Sequence, residues 1–249
     1  MKFKLIDILL YVLLFVFVAA FPIDRIPVDL IYKETILIGL RILLIGFYIY
    51  IIVKNKMKIF GVANLKMLLF CIPFFLACFS NMIAANIDGA AVPSNMPGDL
   101  LATSIILSLL IAISEEIVFR LFIQNSLTKC GSFKRILGSA GIFAAMHLIN
   151  LTNVSNVDAL VTVLVQVVYD FGLGLLLGFM YEYGHSISSC MILHFSFNLC
   201  NEVLVKYYGF TSSQLCFYLT AVVIAIILIL YAGSIYLFYI KKMDRYFRQ

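Results

Sequence analysis

The chain has 249 residues, of which 63% are hydrophobic and 12% charged, and its 18 Lys and Arg against 13 Asp and Glu give a formal net charge of +5. Soluble domains run at about half apolar and about a quarter charged, so this composition, with a mean hydropathy of +1.07, excludes an ordinary soluble domain and places the chain in a bilayer. It also excludes a nucleic-acid partner, because the positive charge falls in short clusters beside apolar runs, where it suits anionic lipid headgroups, and no basic surface is interleaved with aromatics.

Apolar runs of roughly 17–25 residues, each enough to cross about 30 Å of hydrocarbon, predict eight spans. They lie at about 5–21, 35–53, 67–86, 101–123, 136–150, 159–181, 187–205 and 215–240. The first follows a basic head and has small residues at Ala19 and Ala20, as a signal peptide would, but its apolar part is long for one. We expect it to be retained. Along the chain, one side collects Lys2 and Lys4, then Lys54, Lys56, Lys58 and Lys66, then Lys129, Lys134 and Arg135, and finally Lys241, Lys242, Arg245 and Arg248. The other side holds only Arg25, Lys33 and Lys206, among Asp24, Asp29, Asp88, Asp99 and Asp158. By the positive-inside rule this alternation predicts an all-α polytopic transmembrane helix bundle with both termini cytoplasmic. Small size and the lack of soluble domains suit a bacterial plasma membrane.

The six cysteines, Cys71, Cys78, Cys130, Cys190, Cys200 and Cys216, form no CxxC or zinc-ribbon spacing and read as packing residues. Gly172, Gly174 and Gly178 in the sixth span read as a small-residue packing stripe. His185 reads as a residue of the loop after that span.

The informative residues are those a bilayer should exclude. The fourth span carries Ser114, Glu115, Glu116 and Arg120, the fifth ends at His147, and the seventh holds His194 and Asn198. Arg41 and Asp170 add charge to the second and sixth. Ionisable groups inside a membrane face the bundle interior, pair with one another and mark functional paths. At about 1.5 Å of rise per residue, Glu115, His147 and His194 lie roughly 16, 18 and 13 Å from the basic-loop side. Three helices therefore bring a carboxylate and two imidazoles to similar depth.

Helical spacing orients each group. Glu116 and Arg120 are four apart and share a face, which predicts an internal ion pair. Glu115 and Glu116 are about 100° apart around the axis, so they are not expected to point at one small site, and Glu115 is left free as a candidate general base. His147 is placed to help it deprotonate a water, beside Phe143, which shares its face. His194 and Asn198 project together and are candidate donors to the oxyanion formed when that water attacks an amide. A zinc site from Glu115, His147 and His194 with an open position is the other reading, and spacing alone does not choose between them. Asp170 and Arg41 read as structural partners of each other or of this network. The site is expected to open toward the cytosol.

The three elements are Glu115-Glu116-Ile-Val-Phe-Arg120, Phe143-Ala-Ala-Met-His147 and His194-Phe-Ser-Phe-Asn198. Together and in this order they resemble the motif set of the CAAX protease and bacteriocin-processing family, also called the Abi family, which includes the type II CAAX prenyl endopeptidases. The resemblance covers roughly residues 100–202 and implies three parts: N-terminal transmembrane helices over 1–99, a catalytic core over 100–202, and a C-terminal helix with a basic tail over 203–249. It implies water activation by Glu115 and His147, oxyanion stabilisation by His194 and Asn198, and support from Glu116 and Arg120. Members have been described as metalloproteases and as glutamate-type peptidases, so the resemblance leaves the cofactor open between zinc and none. The expected function is intramembrane hydrolysis of a membrane-associated or lipid-modified peptide or protein. The alternative is a non-catalytic membrane protein of the same scaffold, acting in bacteriocin immunity or as the partner of a membrane sensor.

Overall fold

The computed structural model describes residues 5–57, 79, 83, 97–127, 129–204 and 213–247. Among them the chain is all-helical, with no strand. Helix α1 is Leu5–Ala19, and a single 3-10 turn, Ile23–Arg25, leads to α2, Leu30–Lys54. Helix α3, Gly98–Glu116, widens into a π-helical segment over Ile117–Gln124. Helix α4, Ser132–Met146, tightens into a 3-10 segment over His147–Asn153. Then come α5, Val157–Gly184, α6, Ile187–Asn198 with a second π segment over Leu199–Leu204, and α7, Gln214–Phe247. The span expected at 67–86 lies outside the described residues apart from 79 and 83, as do Cys71 and Cys78.

Among the described residues, four helices are long and apolar enough to cross a bilayer: Ile6–Arg25, Leu30–Lys54, Val157–Gly184 and Leu215–Phe238. The other expected spans among the described residues are helical but shorter or interrupted. The 15 residues of α4 reach only about 22 Å at 1.5 Å each, less than the hydrocarbon thickness. The long helices turn apolar side chains outward, among them Leu13, Phe17, Leu43, Val53 and Leu230, each more than half exposed. Such a surface is tolerable only against lipid.

The interior holds a polar cluster within an apolar core. Arg41, Glu115, Glu116, Arg120, Asp170, His194 and Asn198 are all buried, among core residues such as Tyr48, Phe119, Phe122 and Phe143. Hydrogen bonds pin the helices at their ends. Thr103 and Ser104 on α3 both donate to Glu34 on α2, and Tyr48 donates to the Tyr11 carbonyl on α1. Arg135 on α4 pairs with Glu182 on α5, and Gln124 donates to that same Glu182 and to the Gly178 carbonyl.

The expected glycine stripe divides between two neighbours of α5. A Cβ on Gly174 would lie 3.1 Å from the Ala140 Cα on α4, and one on Gly178 would lie 3.3 Å from Ile136 of the same helix. A Cβ on Gly172 would instead meet Leu228 of α7 at 3.2 Å. Bare backbone thus lets α5 approach both helices closely. Gly174→Val is expected to force α4 and α5 apart, costing about 1–3 kcal/mol through overpacking and lowering the unfolding temperature in detergent. An unchanged unfolding temperature would show that the two helices do not meet there. The turn from α5 to α6 is made by His185 in a left-handed conformation, φ 50°, followed by Ser186, whose side chain caps α6 by accepting from the Ser189 amide.

Candidate active site

Every residue from Ile117 to Gln124 is buried, so the second half of α3 is the rod around which the bundle packs. A π segment within an α-helix commonly marks a functional position, and here it begins directly after the paired glutamates. Glu116 and Arg120, both at 0% exposure, form the expected pair, with Arg120 Nε 3.0 Å from Glu116 Oε2. Arg120 Nη1 donates to Ser139 Oγ on α4 at 2.9 Å, and Ser139 donates onward to the Phe119 carbonyl at 2.8 Å. The guanidinium also lies 5.7 Å from the centre of the Phe143 ring. It is clamped between α3 and α4.

The expected division of labour between the two glutamates is only half correct. Glu116 uses Oε2 for Arg120 but accepts at Oε1 from His194 Nδ1 at 2.9 Å. Glu115 Oε2 lies 3.6 Å from Nε2 of the same ring. The two carboxylates diverge around the helix as the geometry of neighbours demands, and the His194 ring inserts between them, offering one nitrogen to each. Divergent neighbours can therefore share one site when the shared partner has two edges.

His147 begins the 3-10 segment after α4. Its Nδ1 is 3.1 Å from the Phe143 carbonyl, and a carbonyl only accepts, so Nδ1 carries a hydrogen in this arrangement. Nε2 faces Asp170 Oδ2 at 3.3 Å. Phe143 stands edge-on to both imidazoles, 5.1 Å from His147 and 5.7 Å from His194, fixing the orientation of each. Asp170 and Arg41, read from the sequence as partners of each other or of the network, take the second course: Asp170 meets His147, and Arg41 Nη1 donates to Ser114 Oγ at 2.8 Å.

Glu115, His147, His194, Asn198, Asp170 and Arg41 line one cavity of about 290 Å³. Three carboxylates (Glu115, Glu116, Asp170), two guanidiniums (Arg41, Arg120) and two imidazoles (His147, His194) make up this cluster. Sequence reasoning did not single out Gln166 and Asn150, which also line the cavity and are joined by a 3.0 Å hydrogen bond. Gln166 lies four residues before Asp170 on α5, so the i,i+4 rule applied to Asp170 would have found it.

Among the described residues the cavity extends away from the end of the bundle that carries Lys129, Lys134 and Arg135. It runs toward Phe15 and Ala19 of α1 and toward Ile149 and Asn150, and it adjoins a second cavity of about 350 Å³ that shares Ala19, Ile149 and Asn150 and reaches Asp24 and Arg25. On the side of the basic loop, Phe122, Arg120 and Gln124 fill the bundle at 0–1% exposure.

Among the described residues, no three His, Cys, Asp or Glu side chains form a metal-holding group. His194 commits Nδ1 to Glu116 and His147 commits Nδ1 to a backbone carbonyl, which leaves Nε2 of each ring, 3.6 Å from Glu115 and 3.3 Å from Asp170.

Asp170→Asn is expected to lower turnover by about tenfold or more by loosening His147, and to change the pH profile with little change in KM. A variant with the wild-type profile would show that the contact only packs the helices.

A multi-pass membrane protein with a carboxylate, two imidazoles and an amide around a buried cavity has the parts of an intramembrane hydrolase. Residues 97–200 match the family model described as type II CAAX prenyl endopeptidase, Rce1-like. The matched segment contains all three motif elements and leaves α1, α2 and α7 outside it. The match covers 104 of the chain's 249 residues. No curated protein matches the chain.

Proposed function

We propose that this protein is an intramembrane endopeptidase that hydrolyses a peptide bond with a water activated by Glu115 and His147. The observation that carries the reading is the convergence of Glu115, His147, His194 and Asn198, from three segments of the chain, on one cavity. In the proposed reaction Glu115 takes a proton from water as the water oxygen bonds to the amide carbon. The carbonyl electrons move onto oxygen, where His194 Nε2, which makes no hydrogen bond at 3.6 Å from Glu115, and the Asn198 carboxamide donate to the developing charge. Collapse re-forms the carbonyl and breaks the C–N bond, and the proton held by Glu115 passes to the leaving nitrogen. His147, held by Asp170 and the Phe143 carbonyl, positions the water. Glu116 and Arg120 keep His194 in register.

The substrate we propose is a membrane-associated or lipid-modified peptide or protein, in keeping with the name of the matched family. The proposed setting is the plasma membrane of a bacterium, with about eight spans, both termini cytoplasmic, and a catalytic core over 100–202. Peptidomics on matched strains carrying wild type or Glu115→Gln tests the reading: a precursor should accumulate in the variant at equal levels of membrane protein. Identical peptide profiles with an unchanged phenotype would favour a non-catalytic role in immunity or sensing.

A further inference from the structure

Arg41 belongs to α2, outside the segment that the family model matches, yet it shares a wall of the cavity with Glu115. It is 6% exposed and its guanidinium stacks 5.3 Å from the Phe15 ring centre. One nitrogen, Nη1, donates to Ser114 Oγ. Among the described residues no carboxylate forms an ion pair with it, in contrast to Arg120, which has Glu116, and Arg135, which has Glu182. Nor do its remaining nitrogens count among the sealed, unsatisfied atoms of the interior, as Nη2 of Arg120 does. They therefore front the cavity.

A buried guanidinium that no carboxylate touches, with Glu115 acting on it only through space, is costly, and more so in a bundle within lipid. A planar fork of donors facing open space is built for a carboxylate, which it can bind with two parallel hydrogen bonds. Ser114 fixes that fork one residue away from the proposed base. Ser114 is itself held, donating to the Ile111 carbonyl at 3.0 Å, so the fork has little freedom to turn away. The cavity has room for on the order of ten waters, enough for a short length of peptide between the fork and Glu115.

We propose that Arg41 is the anchor for a carboxylate of the bound peptide, supplied either by the free C-terminus or by an Asp or Glu side chain close to the bond that is cut. This rests on the peptidase reading for the identity of the ligand, but its test is a binding measurement that requires no turnover. Arg41 is a specificity residue in this role. Stabilising the oxyanion instead would make its loss slow the reaction equally for every peptide.

The full chain in detergent is titrated with three probes: N-acetyl-Ala-Val-Leu with a free carboxylate, the same peptide as its carboxamide, and N-acetyl-Ala-Glu-Leu carboxamide. Wild type should bind at least one acid about tenfold or more tightly than the neutral peptide, as charge-assisted hydrogen bonds imply. Preference for the first acid identifies the C-terminus as the source, and preference for the third identifies a side chain. Arg41→Gln should bring the ratio to about one, and Arg41→Lys, which keeps the charge and loses the fork, should retain part of it. Equal or undetectable binding of all three by wild type overturns the proposal, as does undiminished preference in a folded Arg41→Gln protein. Carboxylate preference without hydrolysis of any peptide would leave this proposal standing and remove the peptidase reading.

Discussion

Replacing Glu115 by glutamine is expected to slow peptide hydrolysis by about 10²–10⁴-fold, the usual contribution of a positioned general base. The carboxamide has the size of the carboxylate, and the side chain is 8% exposed on the wall of an existing cavity, so the bundle should insert and fold as before. The ion pair of Glu116 with Arg120 does not involve this residue. The loss should therefore appear in kcat, with thermal unfolding in detergent close to that of the wild type. A variant that cleaves at the wild-type rate would remove Glu115 from the chemistry, and one that fails to accumulate would make it a structural residue.

Glu116→Ala should act in the opposite sense, on the fold first. It strands Arg120 at 0% exposure, with Nη2 already unsatisfied and only Ser139 and the face of Phe143 left to it. Breaking one side of a buried pair costs about 3–5 kcal/mol, a large share of the stability of a marginal fold. His194 loses its 2.9 Å partner in the same step, so whatever protein does fold should also be impaired in catalysis. Adding Arg120→Leu to Glu116→Ala removes the stranded charge and should recover part of the stability without recovering activity. Normal unfolding of the single variant would contradict the pair.

Much of this was legible in the amino-acid sequence, for identifiable reasons. The Glu116–Arg120 pair follows from i,i+4 spacing, and the meeting of Glu115, His147 and His194 follows from counting residues along three helices at a fixed rise. Both depend on local geometry that a regular helix fixes. What escaped depends on three dimensions. Angular separation of Glu115 from Glu116 is local, but a ring from α6 entering between them is a packing event. The π segment at Ile117–Gln124 and the 3-10 segment at His147–Asn153 change helical pitch at points where no Gly or Pro stands to mark them. Asp170 could be assigned to the membrane interior from its charge, but its partner lies 23 residues away on a separate element.

The central claim is that a water oxygen, taken up at Glu115, becomes part of the product. A single turnover by the purified protein in water enriched with ¹⁸O, with mass analysis of both product and enzyme, tests it directly. The account predicts one ¹⁸O atom in the new C-terminal carboxylate of the first product formed, and none in Glu115. An unlabelled first product, with the label appearing in Glu115, would mean that the carboxylate itself attacked the peptide and would contradict the account.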